Sequence, residues 1–209
     1  MKQKLDCLCG NNFFIDYEEE IDLDQAPDYI NQILNGTFMN FICSTCGKKH
    51  KPEYRISILW KSKNLILEVL PELERGEFYR AKKERTSSKK VSVETIIGYP
   101  EMADRIAVIK DNLEPMAVEA LKYYLLAKAE ENYPDREINA WYCNNGQDGI
   151  EFHLDGIKQG EVAVMRVPRH VYDKTTEDYR KHPKNELFAS MRVRSYLSVQ
   201  NLFRSDDLK

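Results

Sequence analysis

The chain has 209 residues, 42% of them apolar and 31% charged, enough for a core under a very polar surface, as one large domain or two small ones. The 31 Lys and Arg against 34 Asp and Glu leave a net charge of −3, which argues against a general nucleic-acid binder. The mean hydropathy is −0.59 and no run approaches the ~18 apolar residues of a membrane helix, so no membrane partner is expected. Met1–Asp6 also lacks the apolar core of a secretory signal, which predicts a cytoplasmic location.

The first distinctive residues are Cys7-Leu8-Cys9-Gly10. Asn12–Tyr17 reads as a short strand leaving them, followed by the acidic run Glu18-Glu19-Glu20. Pro27 opens a helix over 28–35 with Tyr29 or Ile30, Ile33 and Leu34 on one face, and Gly36 stops it. A strand over Thr37–Ile42 is predicted to run into Cys43-Ser44-Thr45-Cys46-Gly47. Tyr54, Ile56, Ile58 and Trp60 then alternate along a second strand, Lys61–Asn64 forms a turn, and Leu65–Leu70 returns, closed by Pro71. Two cysteine knuckles flanking an antiparallel sheet have the layout of a zinc ribbon.

There are 5 cysteines. A secreted disulfide scaffold would be shorter and denser in them. Two close thiol pairs instead suit a tetrahedral thiolate site, with each tight turn aiming two sulfurs at one ion. The expected ligands are Cys7, Cys9, Cys43 and Cys46, holding one zinc per chain. Four protein ligands leave no open position for water, so such a site is structural rather than catalytic. The first knuckle is one residue shorter than the second, and two ordinary reduced cysteines are the alternative there. A redox pair at Cys43/Cys46 would need a helix to follow, whereas Lys48-Lys49-His50-Lys51-Pro52 does follow. His50 is an alternative ligand or a solvated basic-loop residue. Cys143, in Ala140-Trp141-Tyr142-Cys143, reads as a small hydrophobe in a strand.

Residues 80–92 are polar and charged without apolar period and read as a surface loop or linker. Pro100 opens a helix carrying Met102, Ile106, Ile109 and Leu113. Pro115 opens a longer one with Val118, Leu121, Tyr124 or Leu125, and Ala129 facing a core, ended by Pro134. The pattern then changes to a three-stranded meander over 138–143, 150–154 and 161–167, with turn dipeptides Asn145-Gly146 and Asp148-Gly149. A short helix over 171–180 follows, and 186–203 is open between helix and strand. The fold class is α+β: a zinc-ribbon-like sheet over 1–79, the charged segment 80–92, a helical part over 93–134 and a C-terminal antiparallel α+β part over 135–209.

Several stretches, in order, resemble the CpXC-type domain of bacteria. They are the Cys7/Cys9 pair, Pro27–Phe38 leading into Phe41-Ile42-Cys43-Ser44-Thr45-Cys46-Gly47, the hairpin around Trp60, and Ile106–Pro115 before the long helix. The resemblance runs from residue 7 to about 132. The first motif departs from the family pattern in lacking the Pro and one spacer residue, and the second carries Ser44 in place of the Pro. The resemblance implies a zinc-binding domain and supplies no catalytic residue.

No dinucleotide fingerprint, phosphate-binding loop, serine elbow or His-Glu-x-x-His metal motif occurs. His153 alternates with apolar neighbours on a polar strand face, and His170 and His182 flank the C-terminal helix. Glu18–Glu20 reads as a solvated run. Charge is segregated: residues 1–36 carry 2 basic and 8 acidic groups, whereas 48–63 and 80–90 each carry 6 basic and 1 acidic. The leading expectation is a non-enzymatic zinc-binding protein that serves as a protein-interaction module and pairs as a homodimer. The second is a nucleic-acid-binding zinc ribbon using Tyr54 and Trp60 to stack bases. The third is an enzyme with no recognisable motif.

Overall fold

The computed structural model describes residues 1–81 and 91–203. Most of the charged 80–92 segment therefore lies outside the described residues. The chain divides into two units, Met1–Ala103 and Asp104–Lys209.

In the first unit β1 (Lys2–Asp6) and β2 (Asn12–Asp16) form an antiparallel hairpin whose last pair is Asp6 with Asn12. β3 (Glu20–Asp22) and α1 (Asp28–Leu34) follow. The expected strand over Thr37–Ile42 is extended only at β4 (Phe41–Ile42). Phe38 and Met39 are both buried, and Met39 has a φ of 56°. Two adjacent side chains facing one core cannot lie on an alternating strand, so the backbone turns there. Phe38 packs edge-on against Tyr29, with ring centroids 6.0 Å apart. β5 (Lys49–His50) pairs with β4 to close the second small hairpin.

β6 (Ile56–Trp60) and β7 (Leu65–Leu70) form the expected antiparallel hairpin, with Trp60 opposite Leu65. Ile56, Ile58, Trp60, Leu65, Leu67 and Val69 are all buried, as period-2 alternation requires. α2 (Arg75–Arg80) and β8 (Ser92–Ile97) come next. β3 lies parallel to β6 and β8 parallel to β7, so the unit's sheet has the order β3-β6-β7-β8 and is mixed. Both parallel pairs are joined by long crossovers, which parallel strands need. β8 occupies positions 92–97 that the sequence pattern merged with the helical segment.

α3 (Tyr99–Lys110) spans the division between the units. In the second unit α4 (Pro115–Asn132) begins with Glu114 accepting from the Met116 amide and Pro115 in the first turn, where a missing N–H costs nothing. β9 (Asn139–Gly146), β10 (Gly149–Lys158) and β11 (Glu161–Pro168) are the expected meander. α5 (Arg169–Lys181), α6 (Glu186–Ser190), β12 (Arg192–Val193) and β13 (Tyr196–Leu197) complete the described chain. The 186–203 stretch that sequence left open thus contains a short helix, a tight hairpin and a 3-10 turn over Val199–Asn201. Val118 and Leu121 of α4 pack with Ile150, Phe152 and Leu154 of the meander and Tyr172 of α5. No helix among the described residues is long and apolar enough to cross a membrane.

Every residue from Met116 to Lys122 is buried. Burial on all sides forces Glu119 and Lys122 inside, where each needs a partner. Lys122 Nζ donates to Asp104 at 2.5 Å and to Glu119 at 2.8 Å, and Arg105 lies 3.4 Å from Glu119. The second Glu119 oxygen accepts from the Val199 amide at 2.8 Å, and Asp104 accepts from the Tyr142 amide at 2.6 Å. Burial works against the Lys122 charge, but Asp104 and Glu119 outweigh it and raise its pKa. Breaking such a group leaves uncompensated buried charge. Lys122→Met is therefore expected to cost about 3–5 kcal/mol in urea unfolding of the full chain, while Lys181→Ala, which breaks the exposed Lys181–Glu177 pair, leaves the midpoint unchanged. A Lys122→Met chain as stable as the parent contradicts this assignment.

Candidate metal centre

Each knuckle sits at the end of a hairpin and repeats one backbone scheme. The Cys7 amide donates to the Asn11 carbonyl at 2.8 Å and the Gly10 amide to the Cys7 carbonyl at 2.9 Å. The Cys43 amide donates to the Lys48 carbonyl at 2.9 Å and the Gly47 amide to the Cys43 carbonyl at 2.9 Å. The first turn thus closes from residue i+3 and the second from i+4, which is how the shorter Cys7-x-Cys9 spacing is absorbed. Gly10 has φ +88° and Gly47 φ +71°, and a Cβ built at either meets nothing within 4 Å. Glycine is required there by backbone conformation rather than by space.

The two knuckles also match in burial: Cys7 and Cys43, the first of each pair, are buried, and Cys9 and Cys46 are exposed. The sulfurs meet across the knuckles. Cys7 Sγ lies 3.5 Å from Cys46 Sγ, and Cys9 Sγ lies 3.7 Å from Cys43 Sγ. All four lie within 4.8 Å of one another, forming a cluster able to coordinate a metal. These separations are far beyond the ~2.05 Å of a disulfide.

Asn11 donates its side-chain amide to Cys43 Sγ at 3.5 Å, from the opposite knuckle. That bond, helped by the Cys46 and Thr45 amides, pulls the Cys43 thiol down to about 5. The Cys9 amide favours a Cys7 thiolate, yet burial and the neighbouring thiols outweigh it and push Cys7 up to about 12. Without a cation Cys43 therefore ionises readily while Cys7 resists ionisation.

His50 does not join the sulfurs. Its ring packs edge-on against Phe13 at 5.8 Å between centroids, and its Nε2 is buried without a hydrogen-bond partner. The Glu18–Glu20 run leads into β3, with the Glu19 carbonyl accepting from the Ser57 amide at 2.7 Å. His170 and His182 belong to no metal-binding cluster among the described residues. Trp60 is buried, and Tyr54 stacks on Tyr17 at 4.4 Å while exchanging backbone bonds with the Tyr99 hydroxyl. The Trp60 ring is thus withdrawn from solvent, and one face of the Tyr54 ring is covered. Cys143 and His153, read separately in the sequence, come together with Glu151. The Asn11 contact has no signature in a cysteine-spacing pattern, since it bridges residues 32 apart.

Paired cysteine turns built on short hairpins define a thiolate-knuckle domain. A family profile described as CpXC protein matches residues 5–122, and the chain belongs to that family. An uncharacterized protein of Treponema pallidum (strain Nichols) is 31% identical over 216 residues, covering 96% of this chain and 98% of its own length. No solved structure matches the chain.

Gly10→Ala and Gly47→Ala are each expected to destabilise the chain by about 1–2 kcal/mol, the cost of a side chain in left-handed backbone, without any clash. Urea unfolding of the full-length variants measures this, and a shift in neither variant contradicts the conformational role assigned to the glycines.

Proposed function

We propose that the chain is a non-enzymatic zinc-binding protein in which Cys7, Cys9, Cys43 and Cys46 hold one structural zinc ion and so shape a protein-interaction module. The sulfur spacing carries this reading. Zinc–thiolate bonds of ~2.3 Å in a tetrahedron place neighbouring sulfurs about 3.8 Å apart, and the cross-knuckle separations are 3.5 and 3.7 Å. Thiolate donors suit zinc and not the hard cations calcium or magnesium. When bound, the dication supplies the positive charge that lets all four thiols ionise. Asn11 and the knuckle amides orient and stabilise the sulfurs around it.

A structural role follows from how little else joins the hairpins. β4 and β5 have 2 residues each, and isolated two-stranded hairpins are marginal at best. Metal binding at such sites is worth ~10–16 kcal/mol in small peptides and is coupled to folding. Exposed Leu8, Phe14 and Ile42 on the same hairpins support a protein partner, because apolar side chains held out to solvent gain by being covered.

A nucleic-acid role is less well supported. Tyr54 and Trp60 are engaged, and part of the 48–63 basic block is neutralised within the chain, with Lys61 paired to Asp22 at 2.6 Å and Arg55 to Glu74 at 2.6 Å.

Elemental analysis of protein purified without added metal is expected to find close to one zinc per chain. Cys43→Ser is expected to lose it and to expose residues 1–70 to limited proteolysis while 104–203 stays protected. Metal-free parent protein with an intact first unit rules the reading out. In a gel shift at physiological salt, no DNA or RNA is expected to bind with sub-micromolar affinity; a sequence that does so promotes the nucleic-acid reading.

A further inference from the structure

The outer face of the second unit's meander brings three different metal-binding side chains together. On β9 and β10 Glu151 stands opposite Asn144 and Phe152 opposite Tyr142, so Cys143 is the extra residue of a β-bulge. Alternation from the buried Tyr142 turns Cys143 to the outer face, and the bulge turns Asn144 to that face as well, opposite Glu151. Here the buried Tyr142 and Phe152 point into the core, and Cys143 comes up beside Glu151 and His153. The Cys143 sulfur, a Glu151 oxygen and a His153 nitrogen all lie within 4.8 Å of one another. His153 Nε2 is 3.7 Å from Glu151 Oε1.

Neighbours hold the carboxylate in place. Arg166, directly across on β11, lies 3.2 Å from Oε2, and Asn144 donates to Oε1 at 3.1 Å. Such outer contacts are what orient metal ligands. The His153 side chain is 41% exposed, so an ion there is reachable from solvent.

We propose that Cys143, Glu151 and His153 form a second metal site, open on one side, for a divalent ion of the zinc class. One thiolate, one imidazole and one carboxylate are the mixed donors that such borderline ions accept. On binding, the thiol S–H bond breaks, its proton goes to solvent and the sulfur keeps the electron pair that forms the metal–sulfur bond. Three protein ligands leave a position for water or a small anion, as in open zinc sites. The assignment does not depend on the four-cysteine reading, because no residue is shared.

Cobalt(II) is the probe, added to full-length protein already loaded with one equivalent of zinc. A further equivalent of cobalt is expected to bind with near-ultraviolet thiolate charge-transfer absorption, and azide is expected to shift its visible bands. Cys143→Ala should abolish that absorption and His153→Ala should weaken cobalt binding at least tenfold. Both positions are on the partly exposed sheet face, and the melting curves of zinc-loaded, cobalt-free variants check that they fold. Cys43→Ser should keep the Cys143-dependent signal, which separates this site from the four-cysteine cluster. Identical cobalt titrations for the parent, Cys143→Ala and His153→Ala overturn the proposal, and bands indifferent to azide overturn the open position.

Discussion

Four sulfurs in one place are the constraint that the two small hairpins β1–β2 and β4–β5 share. Two hairpins with strands of 5 and 2 residues bury little of their own surface, and both end in turns that carry a left-handed glycine. What the turns have in common is that they deliver Cys7, Cys9, Cys43 and Cys46 to a single point. Hydrogen bonds alone do not explain such convergence, because crowded thiols repel one another once ionised. In the proposed reading a shared cation converts that repulsion into attraction. The hairpins then become one body, with Asn11 of the first turn reaching Cys43 of the second.

The second unit solves a different problem. α4 is buried around its first turns, and two of its charges go in with it. Asp104, Arg105, Glu119 and Lys122 form an interior set of two acids and two bases that also satisfies the backbone at Tyr142, Leu197 and Val199. The charges carry little net stability compared with apolar substitutes, but each is costly to remove singly. The meander against which α4 packs keeps its apolar face inward and leaves the opposite face to Cys143, Glu151, His153 and Arg166.

Local pattern made much of this legible. The β6–β7 hairpin follows from alternation at Ile56, Ile58 and Trp60. α3 and α4 follow from Pro100, Pro115 and helical spacing, and the meander from Asn145-Gly146 and Asp148-Gly149. The cysteine cluster was legible because its ligand types and close pairs are rare by chance. What stayed hidden depends on contacts distant in sequence. β3 and β8 are short strands defined by parallel partners that long crossovers bring beside them. Thr37–Ile42 looks extended in composition, yet Phe38 and Met39 must both face the core, so the backbone turns. The Cys143 grouping depends on the pairing of β9 with β10, which brings Cys143 beside Glu151 and His153 of the next strand and which residue spacing alone does not show.

The most direct test of the central claim is X-ray absorption at the zinc edge, on full-length protein purified without added metal. The account predicts a single shell of four sulfur atoms at about 2.3 Å. A shell containing nitrogen or oxygen donors in place of any of those sulfurs, or protein that folds fully with no zinc to measure, would contradict it.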